Sequence, residues 1–255
     1  MSAVGLAALD SAAQTLFNVS RQLADEPELS WAEHKSCERL AALCETLGFA
    51  VERNFLGIAT SFKASFSSGA AGPTVVFCSE YDALPGFGGV PRHACGHNLI
   101  AIAGVGAGLA VKAALESGAI NGTVVVLGTP AEETSGGKID LIKAGAFDLV
   151  DFAMMVHPSN ETVAYTRALA MCEVKATFLG RNAHAAGEPW QGLNSLDAAV
   201  SAYVNISLLR QQMLPDCRVH GVFSEGGQRP NIIPDRAQLH YYVRAPGEMR
   251  AFLFS

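Results

Sequence analysis

One stretch of sequence organises the rest of the chain: Glu80-Tyr81-Asp82-Ala83-Leu84-Pro85-Gly86-Phe87-Gly88-Gly89-Val90-Pro91-Arg92-His93-Ala94-Cys95-Gly96-His97-Asn98. It has no helical or strand periodicity, and it is rich in thiol, imidazole and carboxylate groups, which are the side chains that bind transition metals. It follows a strand-like run at residues 74–78 and precedes a long apolar helix at about residues 98–116. Open α/β sheets place their chemistry in loops beyond the carboxyl ends of their strands, so a metal site is expected here.

The composition narrows the class of protein. The 255 residues are 49% hydrophobic and 16% charged, which is typical of a soluble globular protein with one large or two small domains. A net charge of −6 argues against a nucleic-acid partner or an anionic membrane surface. No signal peptide is expected, and the longest uncharged apolar run, residues 99–111, is too short to cross a bilayer. The six cysteines form no tight framework, so they are predicted to be reduced in a cytoplasmic protein.

The first two thirds of the chain have the pattern of an α/β layer. A helix is predicted at residues 4–24, and Ser30 with Glu33 has the form of a capping box that opens a second helix ending at Gly48. Residues 49–66 alternate as a strand pair would. Strands then alternate with helices, which predicts largely parallel pairing. The strands are at residues 74–78, 123–127 and 152–156, and the helices at 98–116 and 138–144.

The pattern changes near residue 170, where an α+β arrangement begins. We therefore expect two domains, residues 1–169 and 170–255, and residues 249–255 have the appearance of an unfinished helix. The second domain is predicted to contain, in order, a strand at 172–179, a polar loop at 180–192, a helix at 193–213 and strands at 218–225 and 237–244.

Three predicted strands each end in groups that can bind a metal. The first leads to Asp82, Cys95 and His97, the second to Glu132 and Glu133, and the third to His157. Parallel pairing would bring all three ends to one edge of the sheet. Adjacent glutamates cannot point the same way on an extended backbone, so one can hold a metal while the other takes a proton from water.

Four motifs in this order resemble those of the two-metal amidohydrolase and metallopeptidase family, which includes the aminoacylases and carboxypeptidase G. They are Glu80-Tyr81-Asp82-Ala83-Leu84-Pro85, His93-Ala94-Cys95-Gly96-His97, Pro130-Ala131-Glu132-Glu133 and His157-Pro158. The first looks most like the dipeptidases that cleave β-alanyl-lysine and related Xaa-basic dipeptides. The resemblance implies a largely parallel, zinc-peptidase-like α/β domain between helices, and a ferredoxin-like α+β lid that forms a homodimer.

The resemblance also implies a role for each matching residue. Two divalent ions (zinc, manganese or cobalt) would be held by Cys95 as the bridging ligand and by His97, Glu133 and His157. Glu132 would be the general base, and Asp82 would orient a ligand. In the lid, His184 would polarise the scissile carbonyl, typically across a dimer interface. Asn231 and Arg244 would hold carbonyl and carboxylate groups of the substrate, and a guanidinium suits a carboxylate because its donors form a planar fork.

The expected function is metal-dependent hydrolysis of an amide bond in a small dipeptide or an N-acyl amino acid. The chain departs from the family pattern because it ends inside the lid, without the last histidine ligand. It is therefore expected to be truncated, with both domains incomplete and little activity of its own. Two alternatives stay open: an inactive form that binds a full-length partner through the lid, and a hydrolase with Cys95 as nucleophile and His97 as base. The second has poor geometry, because the two residues share one tight loop.

Overall fold

A computed structural model describes residues 3–166 and 168–246, and the chain separates into two compact units, Met1–Thr162 and Val163–Ser255. The division of functions after residue 169, into a catalytic domain and a lid, stays a prediction. The helix expected at residues 249–255 lies outside the described residues.

The first unit alternates helices and strands as its sequence pattern predicts, with short 3₁₀ turns at Phe55–Gly57 and Phe87–Gly89. Its elements in chain order are α1 (Ala3–Asp25), α2 (His34–Thr46), β1 (Ala50–Arg53), β2 (Phe62–Ser67), β3 (Thr74–Ser79), β4 (Leu84–Pro85), β5 (Pro91–Arg92), α3 (His97–Glu116), β6 (Thr123–Gly128), α4 (Gly137–Lys143) and β7 (Phe152–Met154).

The five-stranded sheet of this unit is mixed, in the order β1-β2-β6-β3-β7. β3 lies parallel to both β6 and β7, whereas β2 runs antiparallel to β1 and β6. The predicted α/β class with largely parallel core strands is therefore confirmed. Because β3, β6 and β7 run in the same direction, their carboxyl ends reach the same edge of the sheet, and the segments that follow them can converge there.

Helix α3 is the central helix of the first unit and packs against both α1 and β3. A Cβ atom at Gly104 would lie 2.2 Å from Ser79 Oγ, and one at Gly108 would lie 2.3 Å from Val126 Cγ2. The two glycines therefore let the helix approach the sheet closely. The 20-residue helix is long and apolar enough to cross a membrane, but 67% of its most apolar window is buried inside the protein. That burial is the behaviour of a core helix.

The predicted capping box at the start of α2 is wrong. The helix begins at His34, and Trp31 has a φ of 65°, which breaks the approach to the helix. The carboxylate of Glu28 accepts hydrogen bonds from the backbone N–H groups of Lys35 and Ser36 instead. Ser30 and Glu33 are thereby free to bond elsewhere, because another residue satisfies the exposed amides of the helix.

The second unit is an α+β structure in which one antiparallel three-stranded sheet carries a helix on one face. The strands of this sheet lie in the order β10 (Arg218–Glu225), β12 (Arg236–Ala245) and β8 (Ala170–Leu179). Its core includes Ala199 from that helix and Leu239 and Tyr241 from the sheet. The predicted helix ends earlier than expected, in a 3₁₀ turn at Arg210–Gln212. The elements are β8 (Ala170–Leu179), β9 (Ala183–His184), α5 (Ser195–Leu209), β10 (Arg218–Glu225), β11 (Ile232–Ile233) and β12 (Arg236–Ala245).

Candidate metal centre

The loop between β3 and α3 brings its metal-binding groups together by folding back on itself. The chain leaves the sheet after Ser79, at the end of β3, and passes through Asp82. The short strands β4 and β5 then pair antiparallel, so the chain turns back to Cys95 and His97. Gly96, which directly precedes α3, has a φ of 83°, and a Cβ atom there would lie 2.9 Å from Pro158 Cγ. A glycine is required for both reasons, because other residues rarely adopt this conformation and would collide with the segment that carries His157.

Asp82 is buried and holds His97 in a defined orientation. Asp82 Oδ1 lies 2.9 Å from His97 Nδ1, while Oδ2 accepts hydrogen bonds from Ser30 Oγ at 2.8 Å and from the Glu133 N–H at 2.9 Å. Burial raises the pKa of Asp82, but the hydrogen bonds that it accepts outweigh burial and lower the pKa below its ordinary value. The carboxylate therefore stays ionised and accepts the Nδ1 proton, which leaves His97 Nε2 free as a ligand.

His157 is oriented in the same way by a backbone oxygen. Its Nδ1 lies 2.8 Å from the Pro158 carbonyl oxygen, which can only accept a hydrogen bond, so Nδ1 carries the proton. Nε2 faces Cys95, with Sγ at 3.3 Å. Cys95, His97 and His157 thus present donor atoms that all lie within 4.8 Å of one another.

The distances between donor atoms fit shared metal ions better than direct hydrogen bonds. His97 Nε2 lies 3.4 Å from Glu133 Oε1 and 3.4 Å from Glu80 Oε2. All three atoms are buried, and no hydrogen-bond partner for them is found within residues 3–166 and 168–246. Ligand atoms about 2.0–2.3 Å from a tetrahedral ion lie roughly 3.3–3.7 Å from one another. The residues present therefore fit a divalent metal centre.

The charges around the donors also favour a cation. Burial and the neighbouring Glu133 carboxylate raise the pKa of the Cys95 thiol to about 12. Burial lowers the pKa of His97, but Asp82 and Glu80 raise it by more. A cluster that holds protons this strongly is a cluster of excess negative charge, and a divalent cation would displace those protons.

Glu132 and Glu133 point in different directions, although not for the predicted reason. They lie in a turn rather than on an extended strand, and Ala131 before them has a φ of 57°. The Ala131 N–H donates to Oε1 of the fully buried Glu33 at 2.8 Å. Glu133 then faces His97, whereas Glu132 Oε2 accepts from Lys138 Nζ at 2.6 Å.

Four residues beside the centre were not identified from the sequence: Ser30, Glu33, Glu80 and Lys138. Glu80 had a usable signal, since it stands two residues before Asp82 on an extended segment and shares its side. Ser30 and Glu33 were instead assigned to a helix cap. Lys138 gave no recognisable signal, because its partner Glu132 is six residues away, outside helical spacing, and its partner Glu80 is 58 residues away.

The predicted catalytic residue His184 and the predicted substrate-binding residues Asn231 and Arg244 all lie in the second unit, and two of them are neighbours. His184 pairs with Ile232 across the short β9–β11 ladder, and the Ala185 N–H donates to the Asn231 carbonyl oxygen at 3.1 Å. Arg244 lies on β12, in the other sheet, opposite Arg218 and Met171. The roles of these residues and of the predicted metal ligands stay predictions.

Comparison with known proteins gives a consistent result. The family model described as peptidase family M20/M25/M40 matches residues 76–215. The chain is 49% identical over 249 residues to an Xaa-Arg dipeptidase of Mus musculus, covering 93% of the chain. It is 35% identical over 254 residues to one of the subunits of the p-aminobenzoyl-glutamate hydrolase of Escherichia coli K12, covering 94% of the chain.

The fold is also that of a solved structure. A dinuclear metal binding peptidase of Bacillus subtilis aligns with a TM-score of 0.66 at 19% identity, over 96% of this chain and 67% of that one. The chain spans only part of its curated relatives, 57% of the mouse protein and 52% of the Escherichia coli protein.

Proposed function

We propose that this chain, which belongs to peptidase family M20/M25/M40, carries the metal-binding and proton-transfer groups of an amide-bond hydrolase. Membership confirms the resemblance drawn from the four motifs. The observation that carries the proposal is the group of buried, unpartnered atoms on Glu80, His97 and Glu133, beside the Cys95–His157 pair.

The centre is proposed to bind two divalent ions, zinc, manganese or cobalt. Cys95, His97, Glu133 and His157 would hold these ions, and Cys95 would be the ligand shared between them, because a thiolate can contact two ions. Such ions would supply a Lewis acid and a water nucleophile that is active at neutral pH. Both histidines offer Nε2, since an oxygen atom already binds each Nδ1. Asp82 is proposed to keep His97 in this orientation.

Glu132 is proposed to be the general base. Its carboxylate is 39% exposed and is bonded to Lys138 rather than to a donor atom of the centre, so it can reach a water molecule without binding a metal. It would accept a proton from the attacking water and pass it to the leaving amine, as carboxylates do in acid–base catalysis.

His184, Asn231 and Arg244 are proposed to bind the substrate. The backbone N–H groups of Ala186 and Gly187 donate to His184 Nδ1 at 3.2 and 2.9 Å. The proton of this imidazole therefore sits on Nε2, which can donate to the oxygen of a scissile carbonyl. Arg244 would bind the free carboxylate of the substrate.

The proposed substrates are dipeptides with a C-terminal arginine or lysine, or other N-acyl amino acids. The two curated relatives support this class, because the name of one specifies Xaa-Arg dipeptides and the name of the other an aminobenzoyl-glutamate. In both of the substrates named, the amide bond joins an acyl group to an amino acid that has a free carboxylate.

A cysteine-nucleophile mechanism is the weaker candidate. The sequence predicts His97 as its base, but the histidine nitrogen in contact with Cys95 Sγ is His157 Nε2, at 3.3 Å. However, burial and Glu133 raise the pKa of this thiol to about 12, whereas a nucleophilic cysteine needs a lowered pKa. The adjacent carboxylates are also left without a role in that mechanism.

We further propose that the protein is a cytoplasmic homodimer formed through the second unit. Helix α5 supports the dimer, because Val200, Val204 and Leu208 form an exposed apolar stripe at helical spacing. All six cysteines lie in the described part of the chain and are free, which suits a reducing compartment.

The hydrolase proposal is tested by measuring metal content and turnover of β-alanyl-lysine, an Xaa-Arg dipeptide and N-acetyl amino acids. Glu132→Gln should keep its metal while kcat falls by about 10²–10⁴-fold, because the amide cannot accept the proton. Cys95→Ala should lose metal, whereas Cys172→Ala, a matched cysteine in the second unit, should keep both metal and activity.

Three outcomes would count against the proposal. Metal lost together with activity in Glu132→Gln would reverse the roles of Glu132 and Glu133. Unchanged metal content in Cys95→Ala would mean that the ligand assignment is wrong. Hydrolysis that survives removal of metal by a chelator would support the cysteine mechanism instead.

A further inference from the structure

Lys138 binds two carboxylates at once, beside the candidate metal centre. Its Nζ donates to Glu132 Oε2 at 2.6 Å and also to Glu80 Oε1. The Glu80 side chain is only 1% exposed, and that of Lys138 is 24% exposed. The lysine therefore connects the buried carboxylate of Glu80 to the partly exposed carboxylate of Glu132.

The backbone brings Lys138 back to Glu132 through a compact turn. The N–H groups of Gly136 and Gly137 both donate to the Ala131 carbonyl oxygen, at 3.1 and 3.2 Å. A Cβ atom at Gly137 would lie 2.1 Å from the Pro130 carbonyl oxygen, so only glycine permits this approach. Lys138 follows directly in the first turn of α4, with its side chain directed to the two carboxylates.

The lysine is a permanent cation in this position. Burial lowers its pKa, but the two carboxylates raise it by more, so the net shift is upward and the ammonium keeps its charge at neutral pH. A charged ammonium has three donors and no acceptor, so it can bind both carboxylates and still contact water.

We propose that Lys138 is a positioning residue that holds the Glu132 carboxylate in place, with the buried Glu80 as its anchor. The proposal rests on the proposed function, in which Glu132 is the general base. General-base catalysis requires the carboxylate to lie within hydrogen-bond reach of the attacking water, and a small displacement costs a large part of the rate. A long, exposed glutamate side chain has no fixed position without such a partner.

A simpler possibility is that Lys138 only neutralises the buried Glu80. Both roles predict that loss of the lysine destabilises the protein, because it would leave Glu80 buried and unpaired. The two roles differ in catalysis, since only a positioning role predicts a lower kcat with unchanged substrate binding.

The anchoring part is tested by a double-mutant cycle on the whole protein in the presence of a chelator, so that no metal contributes. Lys138→Met should lower Tm by about 5 °C or more, and adding Glu80→Gln should restore at least half of the loss. Lys143→Met is the matched control, because its side chain is 73% exposed on the same helix, and it should leave Tm nearly unchanged. Strictly additive effects of the two substitutions would overturn the anchor.

The positioning part is tested by kinetics and by crystallography. In Lys138→Met, kcat should fall about 10–100-fold, while KM and metal content stay within about twofold of the parent. Lys138→Arg should recover much of the loss, because it can still bind both carboxylates. Crystals of Lys138→Met should show the Glu132 carboxylate displaced, and crystals of Lys143→Met should not.

An unchanged kcat in Lys138→Met, or a Glu132 carboxylate that keeps its position, would overturn the proposal. If the parent protein hydrolyses none of the substrates, the proposed function fails. In that case the position of Glu132 in the variant crystals still decides whether Lys138 holds it.

Discussion

Helices α3 and α5 are both apolar nearly all round, yet they differ in how much of their surface is buried. Twelve of the twenty residues of α3 are buried, compared with two of the fifteen residues of α5. α3 lies between α1 and the sheet, so it is covered on two sides, whereas α5 packs on one face of a three-stranded sheet. The apolar composition of a helix therefore does not by itself specify how much of its surface the rest of the fold buries.

The two helices also begin differently. Asn194 caps α5, because its Oδ1 accepts from the Leu196 N–H at 3.0 Å and from the Asp197 N–H at 3.4 Å. α3 begins after Gly96, where no side-chain cap bond is found in the described part of the chain, and its first residue is His97. The cap of α5 therefore stabilises the helix, whereas the first residue of α3 is a candidate metal ligand.

The largest expected effect tests the close packing of α3. Gly108→Ala would place a Cβ 2.3 Å from Val126 Cγ2, so we expect the free energy of unfolding to fall by about 2–3 kcal/mol through overpacking. Gly106→Ala is the matched control, because its Cβ would meet only the flexible side-chain ends of Leu9 at 3.1 Å and Leu16 at 3.6 Å. Urea unfolding of both variants is the measurement. Equal stability of the two would show that α3 is not packed as tightly as described.

An intermediate effect tests the cap of α5. Asn194→Ala should lower the local stability of the helix by about 1 kcal/mol, because two backbone N–H groups lose their acceptor. Hydrogen exchange of peptides from residues 195–209 measures this. Asn205→Ala, in the exposed middle of the same helix, should slow exchange or leave it unchanged, since alanine is the better helix former. Faster exchange in Asn205→Ala than in Asn194→Ala would contradict the cap.

The smallest effect on stability tests the exposed stripe of α5. Leu208 is 67% exposed, so Leu208→Gln should change the free energy of unfolding by no more than about 0.5 kcal/mol. If the stripe forms the dimer interface, the same variant should dissociate at higher protein concentrations in sedimentation experiments. Leu149→Gln, at an 88% exposed leucine of the first unit, should leave association unchanged. Identical dimerisation of both variants would place the interface elsewhere.

Much of the fold was predictable because its signals are local. The strands at Thr74–Ser79 and Thr123–Gly128 and the helix His97–Glu116 were predicted within about two residues, since apolar runs of these lengths depend on near neighbours. The third strand was overestimated. It ends at Met154, so His157 reaches Cys95 from a loop rather than from a strand end.

The candidate site was predictable in its residue types and less so in its supports. Thiol, imidazole and carboxylate groups after successive strands singled out Asp82, Cys95, His97, Glu132, Glu133 and His157. The family resemblance then selected Cys95, His97, Glu133 and His157 as the candidate ligands. The capping-box prediction failed because Ser30 and Glu33 have stronger partners far along the chain. Ser30 binds Asp82 across 52 residues, and Glu33 binds the Ala131 N–H across 98.

Sequence alone was enough to predict the alternation of helices and strands, the order of the four motifs and the chemical types of the candidate ligands. Those properties depend on residues that are close together along the chain. The contacts between distant segments are visible only in the folded chain, where Glu33 supports the turn before Glu132 and Lys138 joins Glu80 to Glu132. The exposure of one face of α5 is likewise a property of the folded chain. Buried polar groups are hydrogen-bonded in folded proteins, and their partners are the groups that the fold brings close in space, whatever their separation along the chain.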